Sequence, residues 1–186
     1  EGLENLTSIG GDLFIEYNDA LTSLIGLDNI TFIPGNIYIM GNPVLFGLDG
    51  LENLTYIGGS LEIWTNDNLH NLTGFENLTS IGGHLWINWN GTLSSLAGLE
   101  NIHASSIQAL VIVNNHFLSV CEVQGICKYL TVPYASIVIG NNAPGCNSPA
   151  EVEAACLTGV EENTYIAEIS LSPNPASSFI TLTAPQ

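Results

Sequence analysis

The residues of this chain best equipped for chemistry are four cysteines and a recurring set of carboxylates. Cys121, Cys127, Cys146 and Cys156 fall in one stretch. An even set confined in this way suits a disulfide framework in an oxidising compartment. Zinc is the rival, but neither a Cys-x-x-Cys spacing nor a neighbouring His pair accompanies them. The carboxylates Glu4, Asp28, Glu52, Glu76 and Glu100 follow one another at intervals of 24 residues. Like charges stacked in a column repel, so water, a cation or backbone N–H groups must offset them. Calcium takes about six to eight converging oxygens, and a lone carboxylate per repeat supplies few. A solvated ridge, or carboxylates capping the turn that follows each of them, is the expectation, with no metal.

Catalytic constellations are sparse. His70, His84, His103 and His116 stand at different phases of the repeat, and no Ser–His–Asp arrangement follows from it. The Gly-Gly turns lack the Lys of a phosphate loop, and there is no Gly-x-Ser-x-Gly elbow. Cleavage of a polysaccharide by paired carboxylates is the enzyme-class alternative, but no acidic pair stands apart from the column. The expectation is a protein without catalytic residues or cofactor.

Composition narrows the partners. The chain has 186 residues, 18 Asp+Glu against one Lys+Arg, a formal net charge of −17 and 46% hydrophobic residues. With Lys128 as the only fixed cation, nucleic acid and anionic membrane surfaces are excluded as electrostatic partners. No apolar run approaches the roughly 18 residues that a membrane-spanning helix needs. Glu1 opens the chain without a basic, apolar signal segment, which points to a mature form or a fragment.

The interval of 24 is a property of the whole chain. Gly2, Gly26, Gly50, Gly74 and Gly98 each open the same phrase, as in Gly-Leu-Glu-Asn-Leu-Thr at Gly2 and Gly50. Apolar columns run in register, among them Leu13, Ile37, Leu61, Leu85 and Ile15, Ile39, Ile63, Ile87. A fixed return of this length describes a solenoid, in which each coil buries its apolar face against its neighbours. Leu-x-Ile alternates with period two, which predicts one short strand per coil and a parallel sheet along the stack. Gly11, Gly35, Gly59 and Gly83 precede that strand, where a tight turn or a positive φ is expected. Asn18, Asn42, Asn66 and Asn90 follow it, placed to bond free backbone groups at a corner. Asn5, Asn29, Asn53, Asn77 and Asn101 are expected to do the same at another corner. The fifth coil slips by one residue but keeps Leu110, Ile112 and Asn115, and a sixth strand is expected at Ile137–Ile139, before Asn142.

The phrase Ile-Gly-Gly-x-Leu-x-Ile-x-x-Asn, as in Ile57 to Asn66, resembles the receptor L domain, a leucine-rich-repeat-like fold. The resemblance covers about Gly2 to Asn142 and implies a right-handed, β-rich solenoid that binds ligands or proteins and is not an enzyme. Beyond it, a short helix is expected from Cys121 to Leu130. Ser148-Pro-Ala-Glu151 reads as a capping box that starts a second helix, from Pro149 to about Leu157. Cys121 and Cys146 each follow the strands of adjacent coils, which favours Cys121–Cys146 and leaves Cys127–Cys156 to join the helices. The stretch from Cys121 to Cys156 also resembles the caps of secreted proteins of Bacteroidota.

After Leu157 the repeat gives way to a polar linker, residues 158–168. Residues 169–186, with Ser-Pro173-Asn174-Pro175-Ala-Ser before an alternating apolar run, resemble the opening of a C-terminal sorting domain. That family is used by the type IX secretion system of Bacteroidota, so the likeness implies that the export machinery reads Pro173, Asn174 and Pro175. The later strands of such a domain are absent from this sequence. An ordinary interdomain linker is the alternative.

With Leu13 and Ile15 pointing inward, the outward columns are Phe14, Tyr38, Glu62, Trp86, Val111 and Glu16, Met40, Trp64, Asn88, Val113. Tyr17 and Trp89 lie just past the strand. All three Trp therefore fall on or beside the outer face of the sheet. Rings in one exposed patch suit stacking on sugars or anchoring a protein. Mutual stabilisation across the ladder, or cover by a neighbour in an assembly, would also explain them. Six Asn-x-Ser/Thr sequons occur, but four share one repeat column and read as by-products of the phrase. The expected protein is a secreted or surface-attached binding module, residues 1–157, exposing Phe14, Tyr17, Tyr38, Trp64, Trp86 and Trp89 to glycan or protein. A passive spacer on the cell surface is the competing expectation.

Overall fold

A computed structural model describes residues 3–158. Among these residues, nine strands and two α-helices build a parallel β-solenoid closed by the helices after its last coil. The expected strand in each coil is present: β1 (Leu13–Glu16), β3 (Ile37–Met40), β5 (Leu61–Trp64), β7 (His84–Asn88), β8 (Ala109–Val113) and β9 (Ser136–Gly140). They form one parallel sheet in chain order, with Leu13 beside Ile37, Ile37 beside Leu61 and Leu61 beside Leu85.

One strand per coil is an incomplete description. β2 (Phe32–Ile33), β4 (Tyr56–Ile57) and β6 (Ser80–Ile81) make a second parallel sheet on another side of the stack. In the fifth coil a 3₁₀ turn, Ala104–Ser106, stands where this sheet would continue. That turn takes up the extra residue of the coil, so β8 pairs with β7 at a spacing of 25 rather than 24.

The core is the set of repeating apolar columns. Leu51, Leu54, Ile57, Leu61, Ile63, Leu69 and Leu72 of the third coil are all fully buried. Each such side chain contributes about 1.5–3 kcal/mol of burial, but only when a coil lies on both sides. In the first coil Leu6, Ile9, Leu13 and Leu21 are half-buried and line an open cavity of about 590 Å³.

Asparagines tie the bend after the strands. Asn42, Asn66, Asn90 and Asn115 are fully buried. Each donates to its own coil's backbone two residues back and to the inner strand of the preceding coil, as Asn66 does to Trp64 O at 3.1 Å and Ile39 O at 2.9 Å. Each oxygen in turn accepts the backbone N–H of the preceding column member, through to Asn142 accepting from Asn115. The other column also links coils, but from the surface: Asn29, Asn53, Asn77 and Asn101 donate to the carbonyls of Glu4, Asp28, Glu52 and Glu76 at 2.7–2.8 Å.

One expectation about corners needs correction and one is narrowed. The carboxylates do not cap the turn that follows them; they reach back. Asp28, Glu52, Glu76 and Glu100 accept the N–H of Gly26, Gly50, Gly74 and Gly98, each two residues earlier. Of the two alternatives at Gly11, Gly35, Gly59 and Gly83 the turn is present, as a bend, while the positive φ, at 109–111°, belongs to Gly26, Gly50, Gly74 and Gly98. A Cβ on Gly50 would run into the backbone carbonyl of Leu24 in the coil below, so close approach adds to the φ requirement.

The end of the stack is covered by α1 (Gln124–Leu130) and α2 (Pro149–Thr158), joined by Cys127–Cys156, while Cys121–Cys146 ties adjacent coils. Ser148 Oγ accepts the Glu151 N–H at 3.2 Å, the first half of the expected capping box. Glu151 reaches past Ser148, to the N–H groups of Gly145 and Asn147. Ile126, Tyr129, Leu130 and Val152 bury themselves against the last coils. No helix among the described residues is long and apolar enough to cross a membrane. The expected linker beyond Thr158 and the sorting segment with Pro173, Asn174 and Pro175 lie outside the described residues.

Candidate functional site

The outer face of the six-stranded sheet carries the expected columns. Phe14, Tyr38, Glu62, Trp86 and Val111 occupy one row by strand register, and Glu16, Met40, Trp64, Asn88 and Val113 the next. Inward neighbours such as Ile37, Ile39, Leu61 and Ile63 are fully buried, so alternation along each strand turns these rows to solvent.

Four of the six candidate rings pair off. Phe14 and Tyr38 lie nearly parallel, with an interplanar angle of 9° and centroids 4.8 Å apart, one strand spacing. Trp64 and Trp86 are also parallel, at 9° and 6.4 Å. The second pair is diagonal, since Trp64 faces Asn88 and Trp86 faces Glu62 across the ladder. Met40 and Glu62 sit in register between the two pairs, so the rings form two stacks rather than one continuous stripe. Trp64 is 37% exposed and Trp86 41%.

Tyr17 and Trp89 stand apart at the corner. Their φ values, 54° and 53°, lie in the left-handed region, as do those of Thr65 and Asn114 at the equivalent position of other coils. Asn tolerates this conformation, whereas aromatic and β-branched residues adopt it at a cost of about 1–2 kcal/mol. Tyr17 leans its ring over Gly41 of the next coil, and Trp89 meets His116 edge-on at 5.9 Å. Both remain more than half exposed. Backbone preference therefore does not explain either ring.

Carboxylates frame the stacks. Asp12 lies just ahead of β1, where its Oδ1 accepts from Asn36 N at 2.7 Å and Asn36 Nδ2 at 3.0 Å. Asn36 and Ser60 continue this hydrogen-bonded row to the N–H of His84. The row escaped the sequence reading, although its 24-residue spacing and polar character were visible in the alignment of coils. Loss of solvent, then the charges of Glu62, Asp12 and Glu16, hold the Tyr38 phenol above its ordinary value. Loss of solvent also raises the Glu62 carboxyl, with His84 pulling it the other way. The field across this face is negative, and the chain's one Lys+Arg residue, Lys128, is on α1.

No group of three or more His, Cys, Asp or Glu among the described residues is arranged to hold a metal ion. The four histidines lie apart: His84 at the start of β7, His116 against Trp89, His70 beside Phe46, and His103 ahead of the 3₁₀ turn. No family model, curated protein or solved structure matches the chain.

Proposed function

We propose that this protein is a non-enzymatic binding or adhesion module of the cell surface or extracellular space. Its contact surface is the aromatic outer sheet, and its ligand is a glycan or a protein. The observation that carries this reading is two parallel ring pairs on the outer face of the sheet, Phe14, Trp64 and Trp86 exposed and Tyr38 half-buried, with two further rings held at a left-handed backbone position. A flat, preorganised aromatic surface stacks on a ligand without first ordering itself. Two disulfides fit an oxidising compartment. The likeness of the coil phrase to the receptor L domain supports binding over turnover, and the Pro173-Asn174-Pro175 segment supports export by the type IX secretion machinery.

The ring contacts also favour a second reading. Phe14–Tyr38 and Trp64–Trp86 stabilise the ladder by themselves, as they would in a passive spacer. A Trp64→Ala/Trp86→Ala variant separates the two on an array of glycans and extracellular proteins. Loss of wild-type contacts with the fold intact supports binding; an unchanged pattern removes this face as the contact surface. For export, deleting the tail from Ser172 of the full-length precursor should retain the protein inside the cell, and unaltered secretion refutes that part.

A further inference from the structure

Charge separates the ligand classes that an aromatic face could serve. Asp12 and Glu16 stand two residues to either side of Phe14, and Glu62 is the register partner of Tyr38, so three carboxylates flank the Phe14–Tyr38 stack. Glu62 also neighbours Trp86 across the ladder, which brings the same charge to the second stack. No Lys or Arg of the chain stands on this sheet, and the formal net charge is −17.

Such a face holds like charges together over electron-rich rings, and a ligand that relieves the repulsion gains most. A guanidinium matches both elements: its plane stacks on Trp, Tyr or Phe, and its N–H fork bonds carboxylates. Neutral sugars stack on the rings and donate hydroxyl hydrogen bonds to the carboxylates, but bring no charge to offset the repulsion. Acidic glycans and nucleic acids are repelled.

From this charge complementarity, and resting on the reading of the outer sheet as a contact surface, we infer that the occupant is an arginine-bearing, extended polypeptide segment. It lies along the rows of Phe14–Tyr38 and Trp64–Trp86, pairing its cations with Glu16 and Glu62. The two ring pairs follow one another along the stack of coils, with Glu16 and Glu62 in the same rows, so a segment crossing the coils meets rings and carboxylates in turn.

The three Trp on or beside this face make intrinsic fluorescence a direct readout. The probe is the blocked peptide acetyl-Arg-Gly-Arg-Gly-Arg-amide, titrated into the full chain in parallel with neutral cellohexaose. The peptide should change the emission, and its affinity should fall at least about fivefold between about 50 mM and 500 mM NaCl, as exposed charges are screened. Glu16→Gln/Glu62→Gln should weaken it by a similar factor. Asp49→Asn/Glu153→Gln removes the same charge at residues outside this sheet and should leave affinity within about twofold, because salt screens exposed charges that do not touch the ligand. Trp64→Ala/Trp86→Ala should abolish binding measured by calorimetry, with far-UV circular dichroism confirming that each variant folds. Equal weakening by the two charge pairs, or binding that survives loss of both Trp, overturns the inference as diffuse attraction. Ring-dependent binding of cellohexaose without binding of the peptide also overturns it, while leaving the contact surface intact. If no ligand of any class depends on the rings, on the array or here, the surface reading falls as well.

Discussion

Replacing Asn66 with Ala is the sharpest perturbation of the architecture that presents the outer face. Asn66 is fully buried at the centre of its column. Its Nδ2 donates to Ile39 O and Trp64 O, and its Oδ1 accepts the Asn42 backbone N–H at 3.2 Å. Trp64 O retains the N–H of Gly41 after the change, but the Asn42 N–H loses the acceptor that Asn66 provides. One stranded buried donor costs about 1–3 kcal/mol, and each further lost bond about 1 kcal/mol. The sum is about 3–4 kcal/mol, equivalent to a fall in Tm of roughly 10 °C for a domain of this size. Asn18→Ala is the control: Asn18 is exposed, and the same truncation there should cost less than about 1 kcal/mol. Urea unfolding followed by far-UV circular dichroism measures both. An Asn66→Ala variant within about 1 kcal/mol of the parent, or no worse than Asn18→Ala, would refute the view that this column bolts the coils together.

The other consequences are smaller or more local. Gly50→Ala combines a φ of 111° with a clash at Leu24 and should destabilise by about 2–4 kcal/mol, whereas Gly10→Ala, with nothing near its Cβ, should be neutral in the same unfolding assay. Cys127→Ala/Cys156→Ala opens a loop with a sequence separation of 29. It should lower stability by about 3–4 kcal/mol, with limited proteolysis cutting first at α1 and α2; uniform resistance would contradict a stapled cap. Glu62→Gln tests the negative face. A carboxyl raised in the folded state makes folding less favourable once it ionises, so stability contributed by the protonated form is lost as pH rises from the unfolded value through the folded one. The variant should therefore be the more stable protein at neutral pH, and the two should converge in acid, below the unfolded value. A gap that widens in acid would contradict the sign.

Side-chain period made the stack legible: Leu61 and Ile63 could be assigned to the core because Ile37, Ile39, Leu85 and Ile87 repeat them. The outward position of Trp64 and Trp86 followed from the same alternation. Glycine was harder to interpret, because one residue type serves two needs. Gly59 permits close approach to Asn36, while Gly50 also supplies positive φ, and composition does not distinguish them. The second sheet was hidden because Phe32–Ile33 is too short for any periodicity to register. The left-handed corner was equally hidden, since Tyr17, Thr65 and Trp89 are residues that avoid it. Diagonal stacking of Trp64 on Trp86 depends on rotamers, which sequence spacing does not determine.

Ionic quenching of tryptophan emission tests the exposed, negatively charged aromatic face most directly. Trp64, Trp86 and Trp89 are the only indoles of the chain, so the signal comes from this region alone. Relative to N-acetyltryptophanamide, caesium should quench more effectively than iodide at low ionic strength, and the difference should shrink in the Glu16→Gln/Glu62→Gln variant. Equal protection from both ions with blue-shifted emission, or a preference for iodide, would contradict it.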